Sequence, residues 1–487
     1  MHSLRLTGRI LLVSFSLMLL TSMADAGVKA SSFGSNVSYF RRDQGLAPAG
    51  TILPTDFSEG AGRLWRSPVD PGISSPCVAG GLVVVTTWRG GEKELATVAL
   101  DRTSGQQVWK KVSPLREVEP FHSVGSPASS TPASNGEQLF VFFGSYGLLC
   151  YDLNGKLLWE QPMGPFQDEF GASSSPVLSG NNVVLNEDHD VQSFICAFDQ
   201  ATGKPRWKTA REAATRSYST PFLIGPQGEE QIVIAGAIQM TAYSPNDGTR
   251  LWWYDGLSRI VDSTPVVVDG KIIAATWTPG GDSEDRIVME PFADALKILD
   301  KDGDQEIGES ELPEGNEILQ RFFRIDLNQN HKLDEAEWAK HAKVFERAQN
   351  VAVSLSPGTE GPVSQKNVQW TYTRGLPTVP SSVVYDGILY MVKDSGIITS
   401  VDVQTGEMLK HGRATGRGNY YASLVAGDGK IYMISESGVM TILKAGRDWE
   451  ILGSHDFGER VLATPVFTDG MMIIRTDAAV YAFATSN

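Results

Sequence analysis

At 487 residues, with 41% apolar and 9% aromatic side chains, the chain is long enough and apolar enough to bury a sizeable core. Its formal net charge of −15 argues against a nucleic-acid partner, because neutralising phosphates takes a basic face. Beyond the first 26 residues no stretch is long and apolar enough to span a bilayer, so no transmembrane segment is expected in the mature chain.

The chain opens with Arg5 and Arg9, an apolar run from Ile10 to Leu20, and small residues ending in Ala24-Asp25-Ala26. This pattern predicts a cleaved signal peptide over 1–26 and export to a periplasm or beyond. The apolar run is too short to span a membrane, and no cysteine follows it to carry a lipid. An N-terminal arm is expected over 27–62. Cys77, Cys150 and Cys196 each fall in a predicted strand and read as small buried apolar residues, with a single disulfide as the alternative.

From residue 63 onward one phrase recurs. A Ser or Thr precedes a Pro and a β-branched run, and the unit closes with an acidic turn, a Gly and usually a Trp. The Pro positions are 76, 132, 176, 221, 265 and 465, with Ser382 and Ser423 in the matching place elsewhere. Steps of 44, 45 and 44 residues run from 132 to 265, and steps of 41 and 42 run from 382 to 465. The 117-residue step from 265 to 382 is one repeat plus an insertion. Each unit reads as four short strands, with a turn such as Asp199 to Gly203, where Asp bonds its own backbone and Gly takes positive φ. A four-stranded unit at this period predicts an all-β, eight-bladed β-propeller. The N-terminal strand near Trp65 is expected to complete the last blade and close the ring. Trp65, Trp109, Trp159, Trp207, Trp252 and Trp370 are expected to pack between blades.

The acidic-x-x-Thr-Gly turn ahead of a Trp resembles the pyrroloquinoline-quinone-like propeller repeat family, over 63–283 and 350–487. Within it the chain is similar to secreted bacterial quinone-binding-like propellers and, more distantly, to the outer-membrane barrel-assembly lipoprotein. The resemblance also raises a quinoprotein dehydrogenase using pyrroloquinoline quinone and calcium. Those enzymes typically carry adjacent cysteines near the cofactor, whereas here no two cysteines are closer than 46 residues.

The insertion, assigned to 284–349 in the fifth blade, holds 17 acidic and 9 basic side chains. It carries two 12-residue loops. The first offers Asp300, Asp302, Asp304, Glu306 through its backbone carbonyl, and Glu311. The second offers Asp326, Asn328, Asn330, Lys332 through its carbonyl, Asp334 through water, and Glu337. A hard cation wants six to eight oxygens at about 2.3–2.6 Å, which such a loop supplies with a bidentate Glu at position 12, so the spacing resembles a pair of EF-hands binding Ca²⁺. Two features depart from that pattern. Position 6 is Gln305 in one loop and His331 in the other, where Gly is usual, and only 14 residues separate Glu311 from Asp326. Calcium is expected to act as a structural staple.

The insertion lies between the second and third strands of its blade, so it should share a face with Trp88 to Glu94, Phe121-His122, Asp188-His189-Asp190, Arg216 to Tyr218, and Tyr420-Tyr421. A protein or polysaccharide partner is expected on that face. Asp188-His189-Asp190 reads as a polar loop tip, with an acid–base pair or metal site as the alternative. No catalytic residue is assigned, and the chain is expected to be a monomeric, non-enzymatic binding module.

Overall fold

The computed structural model describes residues 38–113, 118–168, 170–226, 228–282, 284, 286 and 288–485. The signal-peptide expectation falls outside them. Among the described residues, eight antiparallel sheets of four strands are arranged around one axis, the fourth extended by the short parallel strand Gly361–Pro362. The third has the expected strands, Val177–Ser179, Asn182–Glu187, Phe194–Asp199 and Pro205–Ala210, innermost to outermost. In the eighth, Val466–Thr468, Met471–Arg475 and Ala479–Ala484 are completed by the outer strand Arg63–Pro68. Among the described residues no helix is long and apolar enough to cross a membrane.

The Ser or Thr that opens each repeat has the same physical role at seven of the eight junctions. The backbone N–H of Ser75 donates to the hydroxyl of Thr131 (3.0 Å), Thr131 to Ser175 (3.0 Å) and Ser175 to Thr220 (3.1 Å). From the fifth blade onward, Thr264 donates to Ser381 (2.9 Å), Ser381 to Ser423 (3.1 Å), Ser423 to Thr464 (3.0 Å) and Thr464 back to Ser75 (3.0 Å). Between Thr220 and Thr264 the contact is instead a hydroxyl-to-carbonyl bond at 3.5 Å. A ring of hydroxyls therefore satisfies the backbone donors that crowd the buried axis, where an unpaired N–H would be costly. Thr131→Val keeps the side-chain shape but removes the acceptor for Ser75. It should lower stability by about 1–3 kcal/mol, measured as a shift in urea midpoint; an unchanged midpoint would remove the ring from the account.

The outer ends of the blades are joined by tryptophans. Trp159 of blade 2 donates its indole N–H to the carbonyl of Gln200 in the next blade's turn (2.9 Å). Its ring covers Gly203, whose φ is +70°; a Cβ there would lie 2.6 Å from the indole. The turn needs Gly twice over, for its backbone and for the Trp above it. Asp199 accepts from the Thr202 N–H (2.9 Å) and hydroxyl (2.7 Å), as the sequence predicts. Trp65, Trp109, Trp207 and Trp370 repeat the indole-to-turn bond. Trp252 departs from it, donating to Gln231 of its own blade and packing on Gly358, because the third and fourth strands of the fifth blade are joined by the longer connection 356–367, whose Gly361–Pro362 pairs in parallel with Trp252 and Trp253.

At the seam, the buried Arg475 of blade 8 donates to the Ser74 carbonyl (2.9 Å) and hydroxyl (2.6 Å) and to the Thr86 carbonyl (2.6 Å) of blade 1. Residues 38–57 cross the face that carries the turns between first and second strands. Arg41 donates there to the carbonyls of Leu424 (2.9 Å) and Ser382 (2.6 Å), and Leu53 and Phe57 join the core between blades 7 and 8. Cys77, Cys150 and Cys196 are buried and unbonded.

Candidate functional site

The inserted arm leaves the fifth blade after Lys271–Thr276 and returns at Val351–Leu355. It contains α1 (Phe292–Leu299), α2 (Phe322–Ile325) and α3 (Glu335–Arg347). Leu299, Ile307, Phe322, Ile325, Leu333 and Trp338 form its own apolar core, so the arm is a small packed unit. Ile307 pairs with Leu333 in a two-stranded ladder that joins the two loops at position 8. Asp334 caps α3 by accepting from the Glu337 N–H, and the Glu337 carboxylate accepts from the Asp334 N–H (3.2 Å).

The two loops fold alike. The position-1 carboxylates receive the N–H of position 6, Gln305 on Asp300 (3.1 Å) and His331 on Asp326 (2.9 Å). The position-12 carboxylates receive positions 2 and 3: Lys301 (2.6 Å) and Asp302 (3.1 Å) on Glu311, Leu327 and Asn328 (both 3.0 Å) on Glu337. Gln305 and His331 hold φ of +70° and +64°, the left-handed conformation that their place in the pattern demands. One oxygen each of Asp300, Asp302 and Asp304 lies within 4.8 Å of the others. In the second loop the Asn328 and Asn330 side chains accept from the N–H of Asn330 (3.0 Å) and Lys332 (2.8 Å). Every side-chain donor here is an oxygen, a set that fits Ca²⁺ and not a soft metal.

One feature crosses between the loops. The Lys332 ammonium bonds Asp304 and lies 3.3 Å from Glu306. That bond holds the Asp304 carboxyl below its usual range. Backbone N–H groups, first that of Gly308, do the same for Glu311, whereas burial pushes Glu337 up.

Beneath the arm the expected polar loop tip is not a tip at all. Asp188, His189 and Asp190 are at most 2% exposed and form the floor of a buried ionic network. Arg211 grips Asp188 through two bonds (2.6 and 2.9 Å) and also donates to the Tyr243 hydroxyl (2.7 Å). Arg216 pairs with Asp190. His189 stacks on Phe166 at 4.2 Å, with Glu187 3.0 Å from its Nε2 and Asp168 3.8 Å from its Nδ1. Burial alone would lower the His189 pKa; the flanking carboxylates Asp168 and Glu187 outweigh it and raise the value to about 10. Asp168 in turn accepts from the Tyr218 hydroxyl (2.6 Å). Of these residues, Glu187, Asp168 and Arg211 are ones the sequence does not single out. Tyr420 also departs from expectation: it is fully buried, its hydroxyl bonded to the Gly416 carbonyl (2.7 Å), so it is no part of an exposed surface.

The arm is seated on this network. Gln167 donates to the Leu327 carbonyl, the Arg216 guanidinium lies over the Phe323 ring at 5.5 Å, and Arg259 lies over Phe345 at 5.3 Å. Val344 and Ala348 pack on Ile238 of blade 4. The arm and the loops between blades therefore share one face, as their positions along the repeat require.

Residues 48–184 and 93–288 match the protein family described as outer membrane protein assembly factor BamB. No curated protein matches the chain. Among solved structures, BamB from Moraxella catarrhalis is similar at a TM-score of 0.55 and 12% identity, over 87% of this chain and 98% of that one. The computationally designed Ika8 protein is similar at 0.54 and 10% identity, over 87% and 99%. A europium-containing methanol dehydrogenase follows at 0.48 and 11%, over 87% and 93%. At these identities the likeness is one of fold. Its repeats, its eight-bladed ring and the family match over 48–288 make the chain similar to the pyrroloquinoline-quinone-like β-propeller repeat family.

Proposed function

We propose that this is an exported, calcium-binding propeller that acts as a binding or scaffold module, docking a protein or cell-surface polymer on the face that bears the arm. Calcium held by the loops at Asp300–Glu311 and Asp326–Glu337 serves as a staple, fixing α1, α2 and α3 against the blades. The observation that carries this reading is the pair of like-folded, oxygen-lined loops seated on the face where the ring's longest loops gather. The family's link to outer-membrane assembly accords with a scaffold role. Phe121, 37% exposed and edge-on to Trp88, and Phe323, 48% exposed, offer apolar contact there.

Immobilised protein should retain a component of the exported fraction in calcium and release it on chelation. A column that retains nothing under either condition would count against the binding reading.

A further inference from the structure

A cleft runs along the junction between arm and propeller, lined by Asp190, Thr215, Arg216, Arg259, Arg324 and His341. Three arginines and one carboxylate line it in a chain of net charge −15; the carboxylate is paired with Arg216, and Arg259 also lies near Asp262. Two of the arginines come from the loops between blades and the third from α2, so neither part of the molecule makes the cleft alone. The floor is closed: Arg216 is 4% exposed and His341 is 7% exposed. Arg324 is exposed at the rim and gives access. His341 also has a buried Nε2 with no hydrogen-bond partner among the described residues, which is costly unless something else supplies one. Burial, reinforced by Arg321, Arg259, Arg216 and Arg324, drives its pKa down to about 3, so the ring is neutral and Nε2 can carry a proton to donate.

We infer that this cleft is a site for a tetrahedral oxyanion of the sulfate or phosphate type, held by Arg216, Arg259 and Arg324 with the Nε2–H of His341 as a further donor. Guanidinium forks match such oxygens in geometry and stay charged in a partly dry site, which an ammonium does less well. The Thr215 hydroxyl adds a donor at the wall. The site does not depend on the calcium reading, although Arg324 lies two residues before Asp326 and His341 lies on the helix that Glu337 begins.

Sulfate is the probe, since phosphate precipitates with calcium. Isothermal titration of the whole protein at constant ionic strength, against sodium chloride as blank, should give one saturable site. Arg324→Gln should weaken it at least tenfold, and Arg259→Gln with Arg324→Gln should abolish it, with the circular dichroism unchanged. His341→Phe should weaken it while keeping the ring contact with Phe345. Sulfate heats no different from chloride, or undiminished binding in the double variant, would overturn the site. Each titration is repeated in calcium and in chelator. Absence of calcium heat then sinks the staple and leaves the sulfate result readable.

Discussion

Replacing Glu311 and Glu337 together with glutamine is expected to abolish calcium-dependent thermal stabilisation while leaving the β-sheet circular dichroism intact. In each loop the position-12 carboxylate gathers the N–H groups of positions 2 and 3, and so draws the loop closed around the place a cation would occupy. A glutamine keeps one oxygen, but it loses the charge and the bidentate grip on which oxygen-ligated calcium depends. Parent protein at a calcium concentration one hundred times the dissociation constant should gain about 2.7 kcal/mol for each loop that fills. The double variant should gain nothing measurable, and its calorimetric titration should be flat. The propeller core lies outside the arm, so its sheet signal stays. A titration of the double variant matching that of the parent would refute the assignment of these loops as the metal site. Lys332 gives a finer expectation: calcium entering the first loop must displace its ammonium from Asp304, so calcium binding should strengthen in Lys332→Met.

Arg211→Leu is expected to be the most damaging single substitution on the arm-bearing face, at about 3–5 kcal/mol. It would strand Asp188 as an unpaired buried carboxylate and leave the Tyr243 hydroxyl without its donor. The large term is the uncompensated charge and not the lost attraction, since buried pairs are worth little net against apolar substitutes. Arg211→Leu combined with Asp188→Leu should therefore recover a substantial part of the loss. Chemical denaturation of the two variants checks this directly. A double variant less stable than Arg211→Leu alone would mean that the pair itself, and not the stranded charge, supplies the stability.

Much of the architecture is legible in the residues. The hydroxyl before each Pro and the Gly beneath each Trp are local signals with fixed spacing, because each repeat meets its neighbour in the same way. The loops at 300–311 and 326–337 are legible for the same reason, their oxygen ligands being set by position within one turn of chain. What escapes the sequence is contact across segments. Asp188-His189-Asp190 looks like an exposed loop tip because its partners, Asp168, Arg211 and Arg216, lie about 20 residues or more away on other connections. The Lys332 bond to Asp304 spans two loops, and the arginine cleft exists only once α2 and α3 have settled on the blades. Tyr420 looks available for the same reason: nothing near it in sequence announces the neighbours that bury it.

The eighth blade sets the order of assembly. Arg66 and Tyr481, bonded at 2.9 Å, stand 415 residues apart in the chain. Joining them costs about 5 kcal/mol of loop-closure entropy before any other interaction is counted. That cost is met only when Arg63–Pro68 and Ala479–Ala484 can pair, and the second of these is synthesised long after the first. Until then the nascent polypeptide presents two open sheet margins, each a template for a foreign strand. The arginine clasp at Ser74 and Thr86 and the hydroxyl bond from Thr464 to Ser75 then hold the ring shut, removing both margins at once.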